Sequence, residues 1–197
     1  MLAPRARQRG VTLMIALIVL VVMTLAGIAL VRSVDSTNII AGNLAFQQAA
    51  TSSGDKGIET AISWLEANKV TSGYLDSNHN SLLDCRGYTA SRVDKTNGTS
   101  WSTWWNGLNT CQTVALAADP SGNTVSYTIF RMCSVAGAAS PSTAGQYCSA
   151  PTIFSNSTCH TAQCQAMQGS TPVYYRITTR ATGPRGTKSY IEVIVAM

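Results

Sequence analysis

The sequence lacks the catalytic motifs that would assign it to a common enzyme class. It contains no G-x-S-x-G nucleophile elbow, no H-E-x-x-H helix and no glycine loop of the kind that cradles a phosphate. It has only two histidines, His79 and His160. His160 directly follows Cys159, and adjacent residues rarely point at one another, so they do not suggest a thiol–imidazole pair. We therefore expect no enzymatic activity.

Strong charge is also missing once the N-terminal residues are set aside. The chain has 14 lysines and arginines against 9 acidic residues, a formal net charge of +5. Arg5, Arg7 and Arg9 lie in the first ten residues, and the remainder carries 11 basic and 9 acidic residues, a net charge of +2. Such a small excess gives no support for a nucleic-acid partner. The basic N-terminus instead predicts a cytoplasmic anchor, with the rest of the chain on the other side of a membrane.

No charged residue occurs between Val11 and Val31. At about 1.5 Å per residue, a helix over this apolar run is roughly 31 Å long, which is enough to span the core of a bilayer. An ordinary secretory signal has an apolar region of about 7–15 residues and is cut after it. Here the run begins directly after Gly10, so cleavage before Val11 leaves the helix on the mature protein.

Several segments resemble a known family. Residues 8–13 read Gln-Arg-Gly-Val-Thr-Leu before the apolar run, which resembles the class III signal of type IV pilins and pseudopilins. The continuation, with Leu-Ala-Gly-Ile-Ala at 25–29 and Ile-Ala-Gly-Asn-Leu at 40–44, resembles PilX-type minor pilins over about the first 65 residues. Tyr-Arg-Ile-Thr at 175–178 and Gly-Pro-Arg-Gly-Thr at 183–187 are similar to the final hairpin of that family.

The resemblance implies a processing site and a position in a filament. A prepilin peptidase would cleave after Gly10 and methylate the amine of Val11. Most pilins have glutamate as the fifth mature residue, where this chain has Ile15. A buried carboxylate is costly unless it is paired, and a subunit with no neighbour above it has no amine to offer. Ile15 therefore favours a tip subunit, and the alternative is that this position simply tolerates a hydrophobic residue.

The function implied by the resemblance is structural. The chain would be a minor pilin that primes assembly of a type IV pilus in a Gram-negative bacterium and sits at or near its tip. It would wait in the inner membrane, with its C-terminal domain in the periplasm, and then join the extracellular pilus. The implied partners are other minor pilins, the major pilin and a large PilY-type tip adhesin. One alternative is a tip pseudopilin of a type II secretion system. Another is a signal-anchored periplasmic enzyme or binding domain.

The pattern of apolar residues predicts one long helix from about Thr12 to Asn68. It divides the chain into a leader at 1–10, a transmembrane half at 11–31, an amphipathic half at 32–69 and an exported globular domain at 70–197. The amphipathic half carries an apolar stripe at helical spacing, formed by Ile58, Ala61, Ile62 and Leu65. We expect this stripe to face a core.

Three glycines weaken this long helix, each by about 1 kcal/mol relative to alanine. They are Gly42, Gly54 and Gly57. The Thr-Ser-Ser-Gly-Asp segment at 51–55 is the expected position of a kink. The alternative is two separate helices joined by a turn there.

The sequence pattern of the globular part predicts an α+β fold, and the resemblance implies that this fold is type IV pilin-like. Residues 125–133 alternate in the manner of a strand, and a hairpin at 173–196 turns at Gly-Pro-Arg-Gly. The long N-terminal helix should pack on an antiparallel sheet of at least three strands. Residues 70–120 are rich in Ser, Thr, Asn and Gly, and residues 134–172 are small and polar, so we expect a loop-rich region stapled by disulfides.

All six cysteines lie in the part expected to be exported, where an even number indicates disulfides. Six cysteines allow 15 connectivities, and the pairing we favour joins the first two and keeps the other four among themselves. A zinc site at Cys159, His160 and Cys164 is the alternative, although its spacing matches no standard finger. The cysteines are Cys85, Cys111, Cys133, Cys148, Cys159 and Cys164.

Residues 76–84 place oxygen-bearing side chains at alternate positions, as the start of a calcium loop does. Ser81 stands where such loops have glycine, and Gly87 where an EF-hand has its glutamate. The alternative is a plain turn, in which Asp, Asn and Ser are common. The candidate Ca²⁺ ligands are the side chains of Asp76, Asn78, Asn80 and Asp84 and the backbone carbonyl of Leu82.

Three tryptophans cluster at Trp101, Trp104 and Trp105 beside Asn106. Aromatic rings next to polar groups can stack on a sugar or anchor a protein partner. The alternative, which we favour, is that they pack beneath a loop.

Overall fold

The computed structural model describes residues 11–138, 147–149 and 172–197. The predicted leader at 1–10 lies outside these residues. Contacts divide the chain into two compact units, of which one ends at Ala45 and the other begins at Phe46.

Helix α1 runs without interruption from Val11 to Lys69. In the first unit every residue from Val11 to Val31 is exposed. In the second unit the helix continues through residues 51–55, where the side-chain hydroxyl of Thr51 donates to the backbone carbonyl of Gln47, four residues earlier. The alternative of two helices joined by a turn is therefore wrong.

One sheet of six strands lies in the described part of the second unit. The order across it is β1-β2-β4-β5-β6, and β3 pairs with β4. A short helix, α2, spans Trp101–Asn106, and 3-10 turns span Tyr74–Asp76 and Thr110–Gln112. Strand β4 and the β5–β6 hairpin lie within two residues of the predicted strands. The bounds are β1 His79–Ser81, β2 Asp84–Thr89, β3 Val114–Ala115, β4 Thr124–Arg131, β5 Tyr174–Thr182 and β6 Lys188–Ala196.

The prediction of an antiparallel sheet is wrong for one pair of strands. Strands β2 and β4 are parallel, with Tyr88 opposite Ile129, whereas the other pairs are antiparallel. Parallel neighbours need a crossover of about a dozen residues or more, and residues 90–123 supply it. The sheet is therefore mixed, because this segment brings the chain back in the same direction before β4 begins.

The core lies between α1 and one face of the sheet. Ile58, Ala61 and Leu65 of the predicted stripe are buried and Ile62 is partly buried, so the expected core-facing stripe is confirmed. Burial of each large side chain contributes about 1.5–3 kcal/mol. The facing side chains alternate along the two central strands, as the pleat requires. They are Val125, Tyr127 and Ile129 of β4 and Tyr175, Ile177 and Ala181 of β5.

At Gly54 and Gly57, α1 packs closely on the sheet. A Cβ atom on Gly57 would be 2.6 Å from Cγ1 of Val125 and 3.1 Å from Cγ2 of Thr179. A Cβ atom on Gly54 would be 2.7 Å from Cδ1 of Ile191. The glycines that weaken the helix in isolation are therefore the residues that allow it to pack closely on the strands.

We expect Gly57→Ala to lower the free energy of unfolding by about 1–2 kcal/mol, because Val125 is stiff at χ1 and overpacking outweighs the gain in helix propensity. Gly54→Ala is the matched control, since Cδ1 of Ile191 is the end of a flexible side chain and can move. We expect its effect to be within about 0.5 kcal/mol. Urea unfolding of the full chain in detergent, followed by tryptophan fluorescence, measures both. Equal effects of the two variants would contradict this account.

Candidate functional site

The predicted processing segment lies at the start of α1. Val11 is the first described residue and lies in α1, and Gly10 lies outside the described residues. Ile15 is 55% exposed. By length and composition α1 can cross a membrane, and its most apolar window has no side chain buried within the structure. An exposed apolar helix of this length near the N-terminus fits a membrane anchor or a signal sequence.

Arg131, at the end of β4, is the most deeply buried charged side chain of the described residues, at 1% exposure. Its Nη1 donates to Oδ1 of Asp76 at 2.7 Å, and its Nε donates to the carbonyl of Ala90 at 3.1 Å. Its Nη2 donates to the carbonyl of Gly137. The guanidinium therefore joins the sheet to three separate loops and has a partner on each nitrogen.

Two tyrosine side chains, Tyr88 and Tyr175, are buried near this ion pair. Tyr88 donates from its hydroxyl to the carbonyl of Leu75 at 2.6 Å. Burial raises the pKa of Tyr88, and the neighbouring Tyr175 raises it further. Burial likewise raises the pKa of Tyr175. The Tyr88 hydroxyl therefore stays protonated and acts as a neutral donor.

A cleft of about 340 Å³ opens beside Arg131. Its lining includes Lys69 from the end of α1, Asp76, Tyr175 and Met197. An apolar ligand placed there would remove the charged groups of Lys69 and Asp76 from water, which is costly.

Residues of the predicted calcium loop have partners within the protein. Asp76 pairs with Arg131. Oδ1 of Asn78 accepts from the backbone N–H of Ala90 at 2.8 Å, and Nδ2 of Asn80 donates to the hydroxyl of Thr89 at 3.0 Å. These bonds hold the loop against β2 and the residue that follows it.

The last two predicted calcium ligands are Asp84, which has partners within the protein, and Leu82, whose side chain is exposed. Asp84 contacts His79 and also lies 3.4 Å from Nε of Arg86. Leu82 is at the tip of the β1–β2 turn and is fully exposed to solvent. Among the described residues, no three His, Cys, Asp or Glu side chains form a group that could hold a metal ion. The contacts of residues 76–84 are those of a turn, and calcium binding by this loop stays a prediction.

His79 fixes the base of this β1–β2 hairpin. Its ring stacks on Tyr74 with 4.0 Å between ring centroids, and Trp64 and Tyr88 lie near it with ring centroids at 6.3 and 5.9 Å. Its Nε2 lies 2.7 Å from the carbonyl oxygen of Tyr74, and its Nδ1 contacts Asp84. The hairpin is therefore attached to the C-terminal end of α1 through an aromatic cluster.

Two disulfides staple the described loops. One joins Cys85 to Cys111, the pair favoured from the sequence, and the other joins Cys133 to Cys148. The pair Cys133–Cys148 lies among the four cysteines expected to pair with one another, whereas Cys159, Cys164 and the alternative zinc site with His160 lie outside the described residues.

The tryptophan cluster lies on α2 against the outer face of the sheet. Trp105 is buried, and Trp101 stacks on Tyr190 with ring centroids 6.1 Å apart. Trp104 contacts Phe130 with ring centroids 5.9 Å apart. The tryptophans therefore pack against the sheet, and sugar or protein binding by this cluster stays an untested alternative.

Two polar sites were missed by the sequence analysis. One is Arg131, which the alternation from Val125 would have placed on the inward face of β4. The other is Asp119, whose Oδ2 accepts from the hydroxyl of Ser53 at 2.6 Å and from Nδ2 of Asn123 at 2.9 Å. These hydrogen bonds, the one from Ser53 first, lower the pKa of Asp119 to about 2. The Asp-Pro-Ser-Gly-Asn run at 119–123 is a turn signal, but nothing in it points to a residue of α1.

Comparison of the chain with protein-family models, with curated proteins and with solved structures finds no match.

Replacing Asp76 and replacing Arg131 should change the free energy of unfolding by different amounts. We expect Asp76→Ala to lower the free energy of unfolding by about 3 kcal/mol, because it leaves the charge of Arg131 buried without its partner. Arg131→Met removes that charge and keeps most of the volume, so we expect a smaller loss. Urea unfolding compares the two variants. A larger loss for Arg131→Met would show that the carbonyl contacts, rather than the ion pair, stabilise this region.

Calcium binding at residues 76–84 predicts that saturating calcium raises the melting temperature of the full chain, because a ligand that binds only the folded state stabilises it. The variant Asp76→Ala, Asp84→Ala should show no such rise relative to its own calcium-free melting temperature. Thermal melting in detergent with calcium and with EDTA measures both. Absence of a shift in the unchanged chain, or an equal shift in the variant, excludes this loop.

The hydrogen bonds of Asp119 predict a pH-dependent stabilisation. Because its pKa is lower in the folded chain, the stabilisation is complete above the ordinary carboxyl pKa and is lost as the pH falls towards about 2. We expect Asp119→Asn to lower the free energy of unfolding at neutral pH, by an amount that shrinks between about pH 4 and pH 2. Urea unfolding across this range, with Asp55→Asn as an exposed control on α1, measures the difference. A difference that does not vary with pH would rule out the carboxylate as its source.

Proposed function

We propose that this chain is a PilX-type minor pilin that primes assembly of a type IV pilus and sits at or near its tip. The observation that carries the proposal is the uncharged helix from Val11 to Val31, exposed along its whole length and preceded by a basic segment ending in Gly10. The same helix, α1, supplies the apolar face on which the sheet of the second unit packs. A long N-terminal helix on a mixed sheet is compatible with a pilin-like α+β fold.

This division of one helix suits a subunit that is first stored in a membrane and later polymerised. The exposed half can lie in lipid before assembly and against the helices of other subunits afterwards. Lipid tails are as apolar as leucine, so packing between helices, rather than release from water, must favour the exchange. A charge in Val11–Val31 would be expensive in either surrounding, and none is present.

Ile15 favours a position at the tip. A subunit with another above it can pair a carboxylate at this position with the amine of its neighbour, whereas a terminal subunit would leave that carboxylate unpaired in an apolar environment. Isoleucine avoids this cost. The partners in such an arrangement are other minor pilins, the major pilin and a PilY-type adhesin. Because Ile15 suits a tip pseudopilin of a type II secretion system equally, recovery of the chain from sheared surface pili discriminates the two.

The proposal depends on cleavage between Gly10 and Val11. We expect intact-mass spectrometry of the mature protein to show loss of residues 1–10 and the addition of one methyl group. Gly10→Leu should leave an uncleaved precursor that is absent from sheared pili, because glycine leaves the peptide bond accessible to a protease at the membrane surface. Ala6→Leu, which changes the leader away from the bond, is the matched control and should be processed normally.

Three results would contradict the proposal. They are a mature chain that retains residues 1–10, a mature chain that has lost the apolar helix, and normal processing and piliation of the Gly10→Leu variant.

A further inference from the structure

The sequence contains two Asn-Gly pairs, and the fold constrains them differently. One is Asn97–Gly98, in the loop before α2, and the other is Asn106–Gly107, at the end of α2. The side-chain amide of an asparagine lies close to the backbone nitrogen of the residue that follows it. Glycine has no Cβ to shield that nitrogen, so an asparagine before glycine is the one most open to attack by the backbone.

The backbone nitrogen of Gly98 is accessible. The N–H of Thr99 donates to the carbonyl of Thr96 at 3.1 Å, so residues 96–99 form a turn. Gly98 lies in this turn with a φ of 83°, and nothing lies within 4 Å of the position that a Cβ atom would take. No hydrogen bond from the N–H of Gly98 occurs within the described part of the chain. Asn97 itself is exposed to solvent.

The backbone nitrogen of Gly107 is held by α2. Its N–H donates to the carbonyl oxygens of Thr103 at 3.2 Å and Trp104 at 3.1 Å. The same two oxygens crowd its α carbon, since a Cβ atom there would be 3.7 and 3.4 Å from them. The side-chain oxygen of Asn106 also accepts from Nη1 of Arg180 at 3.4 Å. Attack by this nitrogen would require the last turn of α2 to open first.

We propose that Asn97 is a site of spontaneous deamidation, and that α2 protects Asn106 from the same reaction. In the first step the nitrogen of Gly98 attacks Cγ of Asn97, gives up its proton and expels the side-chain nitrogen as ammonia. Water then opens the succinimide ring that results. Opening at the side-chain carbonyl leaves aspartate at position 97, and opening at the main-chain carbonyl leaves isoaspartate. One water is consumed and one ammonia is released, without oxidation or reduction.

The reaction places a negative charge two residues from Lys95. The ammonium group of Lys95 donates to the carbonyl of Thr99 at 2.7 Å and lies 5.5 Å from the ring centroid of Trp101. Residues 11–197 change from 11 basic and 9 acidic residues to 11 basic and 10 acidic residues, so their net charge falls from +2 to +1. The isoaspartyl product also adds one carbon to the backbone of the turn. Deamidation therefore alters the segment that leads into α2 and its tryptophans.

The experiment follows both Asn-Gly pairs in the full chain in detergent, incubated at neutral pH in water labelled with heavy oxygen. The label enters only where hydrolysis occurs during the incubation. Peptide mapping by mass spectrometry then measures labelled product at Asn97 and at Asn106, and electron-transfer fragmentation separates aspartate from isoaspartate. A second sample is reduced and unfolded in guanidinium chloride, which removes α2 and leaves the local sequences unchanged. The variant Asn97→Gln is the matched control, because its longer side chain would have to close a larger and less favourable ring.

In the folded chain we expect labelled aspartate and isoaspartate at Asn97, formed about tenfold faster than at Asn106, because reaction at Asn106 must first break the hydrogen bonds of the Gly107 N–H. In the unfolded sample the two rates should be comparable. The Asn97→Gln variant should show no labelled product at position 97 and an unchanged rate at Asn106.

Three results would overturn the proposal. They are the absence of label at Asn97 in the folded chain, a folded-state rate at Asn97 no greater than at Asn106, and a difference between the two sites that persists in the unfolded sample. The last result would assign the difference to neighbouring residues in the sequence rather than to α2. Processing at Gly10 takes no part in this reaction, so failure here and failure of the proposed function are recognised separately.

Discussion

The close contact between α1 and the inner face of the sheet is the constraint on which the second unit depends. Gly54 and Gly57 place no side chain between helix and strands, and the side chains of Val125 and Thr179 fill the space next to the backbone. Further along the same face, Leu65 is completely buried. Once the helix lies this close, its remaining apolar stripe faces the central strands β4 and β5. The gain from that burial outweighs the loss of helix propensity at the two glycines.

Polar contacts then join the loops to this core. The side chain of Arg131 continues the row of inward-facing residues on β4. It donates to Asp76 and to two backbone carbonyls, and the bond to Asp76 fixes the position of the segment that follows α1. His79 stacks within the aromatic cluster and contacts Asp84. The Cys85–Cys111 disulfide joins strand β2 of the same hairpin to the segment before β3. These groups leave the β1–β2 turn little freedom, which is why its leucines stay exposed instead of folding back onto the protein. In the proposed pilin, α1 would serve as both anchor and core, and the loops would be free to specialise in recognition.

Some features could be predicted because their signals are local. The stripe at Ile58, Ala61 and Leu65 repeats at helical spacing, and the final hairpin has its turn residues between two alternating segments. For residues 76–84 the local pattern does not distinguish a metal-binding loop from an ordinary turn. Alternating oxygen side chains are common to a metal loop and to a turn, and only the positions of Arg131, Ala90 and Thr89 show which protein groups these side chains contact.

Residues close together in the chain define the uncharged apolar helix, its amphipathic continuation and the β5–β6 hairpin, so these three features can be read from the sequence. The folded chain was needed to reveal the parallel pairing of β2 with β4, the pairing of Asp76 with Arg131 and the outward position of Leu82 and Leu83. Asp76 and Arg131 are 55 residues apart, and no periodicity along the chain links them. Such contacts form only when the closely packed helix and sheet bring distant segments together, and there the ion pair and the disulfide select one arrangement.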